Sequence, residues 1–321
     1  MQTIIDKNIQ QAAHFLNAGE VVAIPTETVY GLAANAFDAE AVAKIFEAKS
    51  RPFFDPLIVH THALEEVYKL VTEIHPQLAL LAKQFWPGPL TLLLPKKNSI
   101  PDIVTAGLPN VGIRIPQQVD TLKLLNQLNF PLAAPSANPF GYVSPTSAKH
   151  VYQQLQGKIP YILDGGECNI GIESTIVCMH NGLVTVFRIG GLSIESIEEV
   201  VGKVMLHIHQ GDNPAAPGML SAHYAPNKKI VIGNIHENIK KYSGAKLGII
   251  SFKTIFSEIA PKYCYTLSVN GSLREAAQQL FAAMRNLDNS DIEIILTENF
   301  PDEGLGKAIN DRLTRASFKR A

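Results

Sequence analysis

Four cations stand where an alternating chain passes from one element to the next: Lys49, Arg51, Arg114 and Arg188. Short hydroxyl and amide side chains accompany them, namely Thr28, Ser136, Asn138, Ser144 and Ser174, and few acids share these stretches. Point charges, guanidinium forks and small donors together suit a polyanion such as a nucleotide triphosphate. The usual phosphate loops are absent. No G-x-G-x-x-G occurs, and Gly304-Leu305-Gly306-Lys307 is followed by Ala308, where a Walker motif needs a hydroxyl to hold magnesium. The serines lack the G-x-S-x-G setting of a hydrolase nucleophile. His60-x-His62 and His207-x-His209 have no carboxylate or thiolate cluster beside them, so no protein-built metal site is expected.

Each stretch also has a plain structural explanation. A lysine at a helix end complements the helix dipole, the hydroxyls of Pro25-Thr26-Glu27-Thr28 can cap a turn, and Pro135-Ser136-Ala137-Asn138-Pro139 reads as turn chemistry. Arg114 is harder to explain this way. It lies in the apolar run Val111-Gly112-Ile113-Arg114-Ile115, where a charge is seldom turned inward unless it is paired.

The elements that must position these groups follow from periodicity. Val42, Ile45, Phe46 and Lys49 recur at i, i+3, i+4 and i+7, with Asp38 as a candidate N-cap. Lys49 therefore lies in line with the buried face at the last turn, and Pro52 and Pro56 bar further helix. Strands are read at Val21–Ile24, Leu57–His60, Leu90–Leu94, Val111–Ile115, Ile159–Leu163, Ser174–Cys178 and Leu183–Phe187, with helices between them. This makes residues 1–206 one α/β domain with a mixed sheet. The Pro- and Gly-rich stretch 207–227 reads as a linker or functional loop. Residues 228–321 form a second, smaller, Rossmann-like α/β domain in which Leu273, Ala276, Ala277, Leu280 and Met284 share one helix face. In open α/β sheets ligands bind at strand ends, which is where the cations fall.

The totals exclude several classes. Among 321 residues 46% are hydrophobic and 18% charged, which fits a well-buried globular protein and not a disordered one. A net charge of −1 gives no global sign of nucleic-acid binding. Three cysteines without a C-x-x-C pair speak against a disulfide or zinc framework. No apolar run reaches the ~18 residues of a membrane span. Met1–Gln11 has no apolar core of signal-peptide type. A cytoplasmic protein with no membrane partner is expected.

The ordered motifs Pro25-Thr26-Glu27-Thr28-Val29-Tyr30-Gly31-Leu32, Lys49-Ser50-Arg51-Pro52, Pro56-Leu57-Ile58-Val59-His60, Trp86-Pro87-Gly88-Pro89-Leu90-Thr91 and Ala134-Pro135-Ser136-Ala137-Asn138 form a recognisable series. Asp164-Gly165-Gly166, Glu173-Ser174-Thr175-Ile176, Arg188-Ile189-Gly190, Pro217-Gly218-Met219 and His223-Tyr224-Ala225-Pro226 continue it. Over residues 10 to 226 the chain resembles the YrdC-like threonylcarbamoyl-AMP synthases, and its second domain resembles that of their long form. The resemblance implies that L-threonine, bicarbonate (or CO2) and ATP give threonylcarbamoyl-AMP and pyrophosphate, with magnesium travelling on the ATP. The product would pass to the machinery that modifies tRNA next to the anticodon, with at most weak direct contact to tRNA. By the same resemblance Lys49, Arg51, Ser136 and Asn138 form the catalytic tetrad. Thr28, His60, Arg114, Ala134 and Ser174 would hold threonine. ATP would be held by the tetrad with Asp55, Asn110, Ser144, Arg188, His223 and Tyr224, and the segment ending at Pro226 would close as a lid. Phe53-Phe54 departs from the family pattern, where small or polar residues are frequent.

Two rival readings have their own signatures. An RNA-binding module of YrdC type would retain tRNA with steep salt dependence and release no pyrophosphate. A carbamoyl-transfer enzyme on the same fold would turn over carbamoyl phosphate, but it would carry zinc-finger and acylphosphatase segments that have no counterpart here. Under the synthase reading, Lys49→Ala and Arg51→Ala are expected to abolish adenylate formation with little loss of stability.

Overall fold

A computed structural model describes residues 2–207 and 224–318. The chain divides into two compact units. The first holds the described residues through His207, except the short segments Gly141–Ser144 and Ile170–Ile172. Those two segments cluster with the residues from Tyr224 onward and belong to the second unit.

The first unit begins with β1 (Ile4–Asp6), α1 (Ile9–Asn17), β2 (Val22–Ile24) and β3 (Gly31–Asn35). Then follow α2 (Ala39–Lys49), β4 (Ile58–His60), α3 (Leu64–Leu70), α4 (Pro76–Phe85), β5 (Leu90–Pro95) and α5 (Asp102–Thr105). After these come β6 (Asn110–Arg114), α6 (Val119–Gln127), β7 (Leu132–Ala133), α7 (Ala148–Leu155) and β8 (Tyr161–Leu163). The hairpin β9 (Thr175–His180) and β10 (Leu183–Arg188), then α8 (Ile194–Val201) and β11 (Met205–Leu206), complete the described part. Among the described residues the sheet has eleven strands in the order β1-β8-β2-β3-β7-β4-β6-β5-β9-β10-β11. It is mixed: β4 and β6 are parallel, while β5 runs antiparallel to β6.

The two faces of this sheet are packed differently, and the difference makes the site. One face carries Leu32, Ala34, Val59, Leu92, Val111, Ile113, Val177 and Val186 into the main core, with Val42, Ile45 and Phe46 of α2 and Leu78 and Leu81 of α4. On the other face α1 and α6 cover only the half built from β2, β3, β7 and β8, through Leu16, Val22, Leu124 and Leu132. The remaining half of that face carries a small apolar cluster of Ile58, Leu93, Ile176, Cys178 and Phe187. Pleating puts residues two apart on one face, so His60 shares this face with Ile58, and Thr91 shares it with Leu93.

Helix α2 forms as its spacing demands. Asp38 caps it, accepting from the amides of Glu40 (2.9 Å) and Ala41 (3.1 Å). The buried stripe ends on Lys49, and Ser50 stops the helix in the left-handed conformation at φ 51°. One boundary differs from the sequence reading. Gly31 and Leu32, the end of the motif that follows the first strand and outside every strand read from the sequence, open β3 and pair with Ile24 and Ala23 of β2.

The second unit has a parallel sheet of β12 (Lys229–Ile232), β13 (Leu247–Ser251), β14 (Cys264–Thr266) and β15 (Ile294–Thr297), ordered β12-β15-β13-β14. Helices α9 (Ile235–Lys241), α10 (Leu273–Asp288) and α11 (Leu305–Ser317) accompany it. Parallel neighbours need crossovers, which the alternating pattern supplies. Ala276, Ala277, Leu280 and Met284 of α10 are buried, as their spacing requires. Gly304-Leu305-Gly306-Lys307 simply opens α11.

Candidate active site

Lys49 is 1% exposed at the end of α2. Its Nζ donates to the backbone carbonyls of Ser136 and Asn138, and its own carbonyl accepts from Phe140 N at 2.9 Å. The lysine therefore ties a helix end to the Pro135–Pro139 turn. That turn is fixed from its other side by β3 and the residue before it: Leu32 N donates to Pro135 O at 2.7 Å and Ala137 N to Tyr30 O at 2.8 Å. Ser136 is half-buried and Asn138 buried. Ala134 N donates to Ile58 O at 2.9 Å, which fastens the turn to β4.

Arg51 is also buried and folds back on the loop that follows it. Its Nε donates to Asp55 O (3.2 Å) and its Nη2 to Pro56 O (2.8 Å), with Asp55 Oδ2 2.9 Å from Nη2. Phe140 lies beneath the guanidinium, 5.8 Å from ring centroid to Cζ. Burial raises the pKa of Asp55, and the charges of Arg51, Lys49 and Arg188 oppose that rise.

A second polar group lies further along the same face. His60 pairs in register with Arg114, and Leu92 with Ile113, which sets Thr91 beside Arg114. Arg114 donates to Glu27 Oε1 (2.6 Å), Thr28 Oγ1 (2.8 Å) and Gly88 O (3.2 Å). Glu27 is held in turn by Gln117 N at 3.0 Å. An inward arginine needs a partner, and Glu27 is that partner. Thr26 does the local capping expected of this loop, accepting from the amides of Thr28 and Val29, each at 3.2 Å. Thr28 is thereby left to face Arg114. His60 is 3% exposed, and burial, reinforced by the Arg114 charge, pushes its pKa down to about 3, so it is neutral at physiological pH. His62 lies beyond the end of β4.

Ser174 joins the two groups. Its Oγ is 2.7 Å from Thr91 Oγ1 and accepts from Arg188 Nη2 at 3.0 Å, while Arg188 Nε donates to Ser174 O at 3.0 Å. A bulge aims Arg188. Val186 pairs with Val177 but Arg188 pairs with Ile176, so Phe187 is the extra residue between them. Val177 faces the main core and Ile176 the site face. The bulge thus turns Arg188 from the core side to the site side.

Of the residues expected from the sequence, Lys49, Arg51, Asp55, Ser136 and Asn138 gather at one end of this half-face. Thr28, His60, Arg114 and Ser174 gather at the other, with Arg188 between them. Asn110 is at the amino end of β6, about 13 Å along the strand from Arg114, and so belongs to the Arg51–Asp55 end. Ser144 and Tyr224 belong to the second unit. There Ser144 O accepts from Arg285 Nε at 3.2 Å, and Tyr224 packs between Phe281 (5.6 Å between rings) and Arg312 (4.9 Å to Cζ). His223 and most of the expected lid lie outside the described residues. Sequence reasoning missed Glu27 and Thr91 as partners. The signal for Glu27 was Arg114 itself, an inward charge that required an acid somewhere in the chain.

The fold is a mixed-sheet α/β architecture with buried cations gathered on one half-face and no phosphate loop. A family model described as "Telomere recombination" matches residues 14–190, and one described as "Threonylcarbamoyl-AMP synthase, C-terminal domain" matches residues 192–317. The chain is 41% identical to the threonylcarbamoyl-AMP synthase of Pyrococcus abyssi over 99% of its own length and 96% of that protein. It is 39% identical to the Bacillus subtilis enzyme of the same name, over 98% and 94% of the two chains. The crystal structure of P. abyssi Sua5 complexed with L-threonine superimposes with a TM-score of 0.91 at 40% identity, covering 98% of this chain and 97% of that one. The chain belongs to the threonylcarbamoyl-AMP synthase family, in the form that carries the C-terminal domain.

Proposed function

We infer that this protein condenses L-threonine, bicarbonate or CO2, and ATP into threonylcarbamoyl-AMP and pyrophosphate, for transfer to tRNA next to the anticodon. The observation that carries the reading is the convergence of Lys49, Arg51, Arg114 and Arg188 with Ser136, Asn138 and Ser174 on one half-face of a single sheet. Threonine fits the Arg114 end. Three of the five guanidinium N–H groups are used by Gly88, Thr28 and Glu27, which leaves two for a carboxylate. Neutral His60 and the Thr28 and Ser174 hydroxyls supply uncharged contacts for the amino acid. The triphosphate fits the Lys49–Arg51–Arg188 end with Ser136, Asn138 and Asn110.

The reaction needs a carbamate oxygen to attack the α-phosphorus in line as pyrophosphate leaves. Fixed cations lower that barrier by holding both reactants and by stabilising charge that grows on phosphate oxygens. A magnesium ion carried by the triphosphate would neutralise part of its charge, and the chain's own cations would hold the remainder. No three His, Cys, Asp or Glu side chains group together among the described residues. Among the described residues no helix is long and apolar enough to cross a membrane. Three unpaired cysteines suit a reducing cytoplasm as the place of action.

Pyrophosphate release from ATP that depends on both threonine and bicarbonate is the test. Turnover of carbamoyl phosphate without them, or salt-sensitive tRNA retention with no pyrophosphate release, overturns the assignment.

A further inference from the structure

Asp55 is fully buried, at 0% exposure, and the charged groups acting on it are Arg51 and Lys49 from the end of α2 and Arg188 from β10. Behind it, Leu57 N bonds Val104 O of α5, whose carboxylate Asp102 is exposed and paired with Lys96. Arg51 Nη2 lies 2.9 Å from Oδ2 with no N–H aligned on it, and neither carboxylate oxygen accepts a hydrogen bond among the described residues. A buried carboxylate that belongs to the architecture is normally held by several N–H donors, as Glu27 is here by Arg114 and Gln117 N. Asp55 is held by charge alone. Arg51, Lys49 and Arg188 are the charges that favour its ionised form.

We propose that Asp55 is the resident anion of this cation cluster. A polyphosphate entering the cluster displaces it with uptake of one proton from solvent, and the neutral carboxyl then donates a hydrogen bond to the incoming anion. The physical reason is competition. Phosphate oxygens take over the three cations that offset the cost of burying an ionised carboxylate, and what remains is burial beside a negative charge, which favours the protonated form. The step balances as one carboxylate plus one solvent proton giving one carboxyl group. Asparagine at this position mimics that loaded state, since it is neutral and can donate.

The proposal rests on the nucleotide reading of this end, and calorimetry separates the two. ATP is titrated into wild-type protein and Asp55→Asn across a pH series, in buffers of different ionisation enthalpy. Protons taken up by ATP itself cancel in the comparison. The wild type is expected to take up about one proton more than the variant, with a slope in log Kd steeper by about one per pH unit, affinity rising as pH falls. Asp55→Asn is expected to bind more tightly near neutral pH. Equal proton counts and equal slopes overturn the Asp55 proposal while leaving the nucleotide site standing. Failure of ATP to bind wild-type protein overturns both. If Asp55→Asn does not fold, infrared difference spectra of wild-type protein with isotope-labelled aspartate decide the matter. A protonated-carboxyl band that appears with ATP supports the proposal, and its absence overturns it.

Discussion

At the scale of single residues, the groups that the family motifs mark for chemistry are also structural ties. Lys49 Nζ satisfies two backbone carbonyls and Arg51 satisfies two more. The expectation that alanine at either position spares stability therefore changes. Lys49→Ala abolishes product formation and also costs about 2 kcal/mol, because the carbonyls of Ser136 and Asn138 lose a buried donor. Activity and urea unfolding measured on the same preparation check both parts. His60 makes a pH prediction whose sign is fixed. Its pKa is about 3 in the folded protein against an ordinary value of 6.5, so below 6.5 the unfolded chain binds a proton that the native state refuses. The native state loses stability as pH falls from 6.5 toward 3, by about 1.4 kcal/mol per unit. Compared with wild type, His60→Gln loses about 2 kcal/mol less between pH 7 and pH 5. Equal losses in the two proteins would mean that His60 is not held neutral.

At the scale of elements, the site depends on how closely β9 and β10 approach the loop after them. A Cβ on Gly190 would lie 2.3 Å from Glu173 O and 2.5 Å from Ser174 C, both backbone atoms that cannot step aside cheaply. Gly190→Ala must push apart the Glu173–Ser174 segment and Arg188, which bonds to Ser174 twice. The expected result is a loss of about 2 kcal/mol of stability and a raised KM for threonine. An unchanged KM with lowered stability would detach Ser174 from threonine binding. Periodicity located α2, its Asp38 cap and its Lys49 terminus, because a helix face is written in one stretch of sequence. The bulge at Phe187 was not legible, since it is a mismatch of count between two strands and neither strand records it alone.

At the scale of the whole molecule, the second unit takes two segments from the middle of the first unit's sequence. Arg285, 1% exposed, donates to the carbonyls of Val143 and Ser144 and lies over the Tyr142 ring at 5.1 Å. Asp288 accepts from Tyr142 Oη (2.6 Å), Asn227 Nδ2 (2.9 Å) and Lys228 N (2.8 Å). Gly171 is packed against the backbone of α10, where an added Cβ would lie 2.5 Å from Gln278 Cα. Arg285→Ala removes the bonds that Arg285 gives to the carbonyls of Val143 and Ser144. It is expected to lower stability by about 3 kcal/mol, read by urea unfolding, and an unchanged midpoint would mean that these bonds do not hold the segment.

The sequence alone determined the mixed α/β class, most of the elements and the family, because periodicity, caps and ordered motifs are local. Only the tertiary structure decided that Glu27 neutralises Arg114, that Asp55 sits among Lys49, Arg51 and Arg188, and that Gly141–Ser144 and Ile170–Ile172 pack with the C-terminal part of the chain. The physical reason is the same in each case. A buried charge or carbonyl requires a partner, but the requirement does not say where along 321 residues that partner comes from.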